Sequence, residues 1–188
     1  MFTRNQNTIL SPESDPLTDP VDIKEILKKH YLLVSGRRDG QRANLTSQDL
    51  SGLNLSGINL RTLIAPGADF SRCELAESNF ADADLFTVNF DKSNCERANF
   101  QNADIRGASF NGARLSRVNF EHADMRPGCL AVMTTNAEGE TDLSDAILES
   151  AILRDAKLDQ ADLSRVRAKN ADMSGASIGV VCCFEPAV

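Results

Sequence analysis

From Ala43 onward a large apolar residue returns at every fifth position. With that residue as position i, the series is Leu45, Leu50, Leu55, Leu60, Ala65, Phe70, Leu75, Phe80, Leu85, Phe90, Cys95, Phe100, Ile105, Phe110, Leu115, Phe120, Met125 and Leu130. Position i−2 is small, most often alanine, as at Ala43, Ala68, Ala83, Ala98, Ala103, Ala108, Ala113 and Ala123. Position i−1 is Asn or Asp in most repeats, as at Asn44, Asp49, Asn54, Asn59, Asp69, Asn79, Asp84, Asn89, Asn94, Asn99, Asp104, Asn119 and Asp124. After a break the series resumes at Leu143, Leu148, Leu153, Leu158, Leu163, Ala168, Met173, Ile178 and Cys183.

A period of five suits neither common element. On an α-helix five residues turn about 500°, so the apolar stripe would drift by about 140° per repeat. On a flat strand five is odd, and position i would alternate between faces. A chain that turns a corner once per repeat keeps i−2 and i inside every time. The phenylalanines set the number of corners. Phe70, Phe80, Phe90, Phe100, Phe110 and Phe120 recur every tenth residue. A four-sided coil stacks Phe70, Phe90 and Phe110 on one side and Phe80, Phe100 and Phe120 on the opposite side. Every layer then has the same bulk, as close packing requires. A three-sided coil would alternate bulky and lean layers.

The segments Ala68-Asp69-Phe70-Ser71-Arg72, Ala83-Asp84-Leu85-Phe86-Thr87, Ala98-Asn99-Phe100-Gln101-Asn102 and Ala161-Asp162-Leu163-Ser164-Arg165 resemble the pentapeptide-repeat family, whose consensus is A(D/N)LXX. The resemblance covers about residues 41–183. It implies an all-β fold, a right-handed quadrilateral β-helix; the handedness comes from the resemblance alone. The Asn and Asp residues at i−1 read as groups that bond the backbone at the corners.

The pattern divides the chain into five parts. Residues 1–18, with Pro12 and Pro16, read as a flexible N-terminal segment. Residues 19–40 read as a capping α-helix and linker. Asp19 is the expected N-cap, Pro20 suits the first turn, and Ile23, Ile26, Leu27, Tyr31 and Val34 form an apolar face that stops at Gly36. Residues 41–130 form a first repeat block, residues 131–140 a loop that breaks register, and residues 141–188 a second block with aliphatic filling. A slight offset between the blocks is expected. The C-terminal coil has no such helix. Its edge is either covered by a second copy or continued in a longer repeat protein, and the latter is preferred.

Composition narrows the function by exclusion. Apolar residues make up 41% of the 188 residues, too many for a disordered chain. No apolar run reaches the roughly 18–20 residues that cross a membrane, and the N-terminus has no secretory h-region. Five cysteines, Cys73, Cys95, Cys129, Cys182 and Cys183, follow no zinc spacing and read as reduced thiols in a cytoplasmic protein. The formal net charge of −7 argues against nucleic acid as a partner, because phosphate contacts need Lys and Arg.

The two histidines, His30 and His122, share no motif and read as capping or solvated residues. No catalytic, cofactor-binding or metal residue is expected, and no cofactor. The expected role is a non-catalytic structural or protein-protein interaction module with an unidentified protein partner and self-association through the C-terminal coil. The candidate contacts are Met133, Glu138 and Glu140 in the loop and Val181 and Phe184 at the open end. The resemblance also implies an alternative, an acidic DNA mimic that binds gyrase or topoisomerase. Charge density weighs against it. About seven coils at about 4.8 Å span about 34 Å. DNA of that length carries about 20 charges, against a net −7 here.

Overall fold

The computed structural model describes residues 22–128 and 139–179. Its backbone pairs with itself in parallel from one coil to the next, from Asn44 with Ile64 to Lys157 with Ser177. Four repeats therefore close one coil. The face that begins at Leu45 has seven levels joined by six bridges, and the faces that begin at Leu50, Leu55 and Leu60 have six levels joined by five bridges each.

One repeat accounts for nearly all of its own backbone donors. The N–H of position i donates one coil onward, as Leu45 does to the Ile64 carbonyl at 2.7 Å. The N–H of i−1 donates one coil back, as Ile64 does to Ala43 at 3.1 Å. The N–H of i+2 donates onward, as Ser47 does to Pro66 at 2.9 Å. The next i−2 closes a four-residue turn onto position i, as Gln48 does to Leu45 at 3.1 Å. Only the i+1 N–H has no coil partner. The i−1 side chain takes it: Asn44 Oδ1 accepts from Thr46 N at 3.0 Å, and Asp69 Oδ1 from Ser71 N at 2.8 Å. Unpaired backbone donors are costly, which is why Asn and Asp dominate i−1. Ile64 departs from the rule where it costs nothing, because its i+1 neighbour is Pro66, which has no N–H to satisfy.

Each corner places position i+2 in the left-handed region. From Ser47 to Gly175, Pro127 apart, φ at these corners lies between +53° and +72°. Proline cannot adopt that value. Pro127 falls at i+2 after Met125, so the corner fails there and the chain leaves the coil. Pairing passes from Asp104–Asp124 to Ser109–Asp142. That step exceeds one coil by the length of the excursion, yet the ladder resumes in phase, with Phe110 N donating to Asp142 O at 2.7 Å.

Three expectations change on this account. The excursion starts at Pro127, earlier than 131–140. The slot over Phe110 assigned to Leu130 is held by Leu143; Leu130 itself lies outside the described residues. The blocks meet without an offset in the ladder, since Asp124 pairs with Lys157 as regularly as Asp104 pairs with Asp124.

The interior is filled by the side chains at position i. Leu45, Leu50, Leu55, Leu60, Phe70, Leu75, Phe80, Leu85, Phe90, Cys95, Phe100, Ile105, Phe110, Leu115, Phe120, Met125, Leu143, Leu148, Leu153, Leu158 and Leu163 are all buried. Phe70, Phe90 and Phe110 stack at 5.4 and 4.8 Å, and Phe80, Phe100 and Phe120 at 4.9 and 5.1 Å. The two stacks meet edge to face, with Phe90 and Phe100 centroids 5.5 Å apart at 83°. Both arrangements suit the ring quadrupole. The last level is different. Met173 is half-buried, and Ile178, at the last described level, is 49% exposed.

At the other end, α1 (Ile23–Val34) lies across the first coil. Leu27 is buried in the core, with Ile23 and Ile26 packed against it. The N-cap is Asp22 rather than Asp19. Its carboxylate accepts from Lys24 N and Glu25 N at 3.1 and 3.3 Å, and Asp19 lies outside the described residues. Asp22 stands directly before the first helical residue, where a cap must be. Gly40 lets the linker pass the end of α1: a Cβ there would lie 2.2 Å from Leu33 N.

Phe90 sits between Phe70 and Phe110 and against both rings opposite. Phe90→Ala should cost about 3–5 kcal/mol in denaturant unfolding, and Phe90→Leu clearly less. Equal costs would show that the loss comes from the ring stack and that the volume Leu retains contributes nothing.

Candidate interaction surface

With i−2 and i turned inward, each face presents i−1, i+1 and i+2 to solvent, in columns one coil apart. Charged groups in these columns pair between neighbouring coils. Arg61 binds Asp82 at 2.8 Å, Arg97 binds Glu77 at 3.0 Å, Arg154 binds Glu121 at 2.9 Å, Arg165 binds Asp145 at 2.7 Å and Arg167 binds Glu149 at 2.9 Å. Arg114 also pairs with Glu96. Arg106 and Arg126 turn back onto Asp104 and Asp124 of their own repeats, each at 2.7 Å. Arg106 also lies over the Phe86 ring, 5.5 Å from its centroid. Exposed pairs of this kind contribute little singly, but they leave many of the acids already neutralised.

The face that begins at Leu50 is different. Its i−1 and i+1 columns hold Asp49, Ser51, Asp69, Ser71, Asn89, Asp91, Ser109, Asn111, Asp142, Ser144, Asp162 and Ser164. The side chains are short and polar, and neither column contains Lys or Arg. They bond among themselves: Asn111 Nδ2 donates to Ser144 Oγ at 2.8 Å, and Asn111 N donates to Asp91 Oδ1 at 3.1 Å.

Several carboxylates are held below the usual range. Asp82 is lowered by a hydrogen bond from Asn102 and then by Arg61. For Asp124, burial works upward but is outweighed by hydrogen bonds from Arg126 and by the charge of Lys157. Asp145 is lowered by Arg165, and Asp172 by the Ser174 hydroxyl and N–H. These acids are fixed as anions, the opposite of the raised pKa a general acid needs. Burial pushes the Cys73 thiol up to about 11 and the Cys95 thiol up to about 12. Both are buried inside the coil and unreactive as nucleophiles. His122 is half-exposed at a corner, 3.8 Å from Asp155. His30 is fully buried beneath α1.

Among the described residues the surface carries shallow grooves. One of about 260 Å³ runs along Glu96, Arg97, Ser116, Arg117, Glu149 and Ser150. Another of about 240 Å³ lies between α1 and the first coil, along Glu25, Ile26, Lys29, Gln41, Arg42 and Asn44. Both are smaller than typical ligand pockets. Among the described residues no cluster of three His, Cys, Asp or Glu could hold a metal ion. Among them, too, no helix is long and apolar enough to cross a membrane.

Of the candidate contacts, the structure places Glu140, half-buried at the foot of the excursion. Met133, Glu138, Val181 and Phe184 lie outside the described residues. The foot itself is tightly built. Gly107 and Gly128 approach so closely that a Cβ on either would fall 2.9 Å from the other's Cα. The buried Thr141 hydroxyl accepts from Gly107 N at 2.9 Å. Sequence reasoning missed Pro127, Thr141 and the Gly107–Gly128 contact. Pro127 was detectable, because it falls at the one position of the repeat that is a left-handed corner.

A wall of five-residue faces that closes once every four repeats defines a β-helix solenoid of pentapeptide repeats. The sequence pattern of pentapeptide repeats matches residues 54–91, 93–126 and 140–178 in eight copies, and the chain belongs to that family. No curated protein matches it. Among solved structures it is similar to HetL, a pentapeptide-repeat protein involved in heterocyst differentiation regulation from the cyanobacterium Nostoc sp. strain PCC 7120. The identity is 20% over 85% of this chain and 93% of HetL, with a TM-score of 0.33. It is similar to QnrB1, a plasmid-mediated fluoroquinolone resistance protein, at 14% identity over 74% of this chain and 83% of that one, with a TM-score of 0.36. A pentapeptide-repeat protein of the Arabidopsis thaliana thylakoid lumen shares 19% identity over 77% of this chain and 68% of its own, with a TM-score of 0.28.

Because Asp124 is already in phase with Lys157 and Ser109 with Asp142, residues 127–139 are dispensable for the ladder. Their deletion joins Arg126 to Glu140 and puts Glu140 at i+2 and Thr141 at i−2. The shortened chain should keep its circular dichroism spectrum and unfold within about 1 kcal/mol of the parent, the scale of one net hydrogen bond. Loss of cooperative unfolding would show that the excursion holds the two blocks together.

Proposed function

We propose that the chain is a non-catalytic solenoid that acts as a structural or protein-protein interaction module. The observation that carries this reading is the filled interior. Opposed Phe stacks and aliphatic layers occupy the coil and leave flat polar walls as the surface on which a partner would bind. Acids fixed as anions support it further. Met133, Glu138 and Glu140, on or at the foot of the excursion, and Val181 and Phe184 near the C-terminus are the proposed contacts. Insertions are where repeat proteins commonly place binding residues.

The coil winds right-handed on this reading, since crossover connections between parallel strands are right-handed almost without exception. Unpaired Cys73 and Cys95 favour a reducing compartment, the cytoplasm. The C-terminal coil associates with a second copy on this reading, because Ile178 exposes an apolar side chain at the last described level. Light scattering should find a dimer, and Ile178→Glu should return it to monomer. A parent that is monomeric at about 100 µM, well above the dissociation constants of stable interfaces, removes the self-association part of the reading.

A second reading, a DNA mimic that binds gyrase or topoisomerase, draws on the Leu50 face. Asp49, Asp69, Asp91, Asp142 and Asp162 run along it with no cation in the same columns. Paired charges elsewhere and a net charge of −7 weigh against it. The reading requires that micromolar protein alter DNA supercoiling by gyrase and that Asp69→Asn with Asp91→Asn abolish the effect. An unaltered supercoiling rate sinks it.

A further inference from the structure

Among the described residues the first repeat has no repeat before it, so its i−2 N–H needs another acceptor. Deeper in the solenoid, the i−2 N–H donates to the carbonyl of the preceding turn, as Ala68 does to Ala65 at 3.1 Å. Ala43 opens the coil, and its N–H donates instead to His30 Nδ1 at 3.1 Å. The imidazole is fully buried between α1 and the coil. An N–H that points at Nδ1 requires that nitrogen to be unprotonated, so the proton sits on Nε2. Nε2 is enclosed and has no hydrogen-bond partner. A second proton would have to go onto Nδ1, where it would face the Ala43 N–H with both groups donating.

The charges around the seam do not help that proton. Glu25 and Lys29 of α1 and Arg42 of the linker line the groove beside it, and Glu25 is occupied by Lys28 at 3.5 Å. Arg42 also donates to the Thr62 carbonyl. Among the described residues no carboxylate lies within ion-pair distance of His30. Burial is the largest influence and holds His30 below its usual 6.5. The Arg61 backbone works upward against it, and the Arg42 charge adds to the lowering.

We propose that α1 is an acid-released cap: protonation of His30 turns Nδ1 from acceptor to donor against Ala43 N–H, undocks α1 and bares the ladder edge of the first coil. The undocked imidazole takes its proton near 6.5, and the docked one only at lower pH. Docking is therefore fully retained above 6.5. It weakens as pH falls below that value, by up to about tenfold per pH unit, until the docked imidazole itself protonates.

Amide hydrogen exchange, corrected for intrinsic rates, tests this on the intact chain. From about pH 7.5 to about pH 5, the amides of Leu27 to Tyr31 should lose about tenfold protection or more, while those of Phe90 and Phe100 keep theirs. His30→Asn offers an acceptor in place of Nδ1 but does not titrate, and should remove the pH dependence. If that variant fails to dock α1, the NMR titration of the His30 imidazole in the parent decides. It must share its midpoint with the loss of protection. Unchanged protection of α1 at the lower pH, a parallel loss in the coil, or a separate imidazole midpoint would each overturn the proposal.

Discussion

The structure depends on where five backbone N–H groups go. Four are taken by the coils before and after and by the corner turn, and the fifth, at i+1, is left over. A short carboxylate or amide two positions back is the one local group that reaches it, and Asn44, Asp69, Asn79, Asn89, Asn99 and Asn119 do so. The same chemistry therefore recurs from level to level, and the Asn and Asp at i−1 are part of the wall's backbone bonding. Exceptions at i−1 are densest beyond the excursion, where Ile147, Ile152, Lys157 and Arg167 replace Asn and Asp. The second block thus holds its walls with fewer side-chain bonds to the backbone.

Corner geometry sets the other limit. A left-handed i+2 at every corner admits Gly, Asn and Asp easily and other residues at some cost, yet it excludes proline outright. One residue, Pro127, therefore decides where the chain leaves the coil. Thr141, Gly107 and Gly128 then close the gap so tightly that the ladder continues unbroken above and below. The excursion is an addition to the solenoid, which is why partner contacts can be proposed on it without involving the core.

The ends carry the asymmetry of the molecule. At the first coil, Leu27 covers the apolar opening and His30 supplies the acceptor that a preceding repeat would give to Ala43. At the last described level Ile178 stays half-exposed. The proposed role as an interaction module rests on the filled interior and on acids held as anions by neighbouring Arg residues. The column of Asp and Ser on the Leu50 face is the most uniform of these walls.

Sequence alone determined the coil. Apolar residues at a period of five and Phe at a period of ten are properties of local order that survive in any correct fold, and they led to four sides and two opposed Phe stacks. The i−1 rule was legible as turn chemistry, but not the identity of the donor it serves. Tertiary structure decided what depends on residues far apart in the chain. Leu143 displaces Leu130 because register over Phe110 is set by the coil below, which is remote from it in sequence. His30 was unreadable as a buried acceptor because its partner, Ala43, is unusual only in being first.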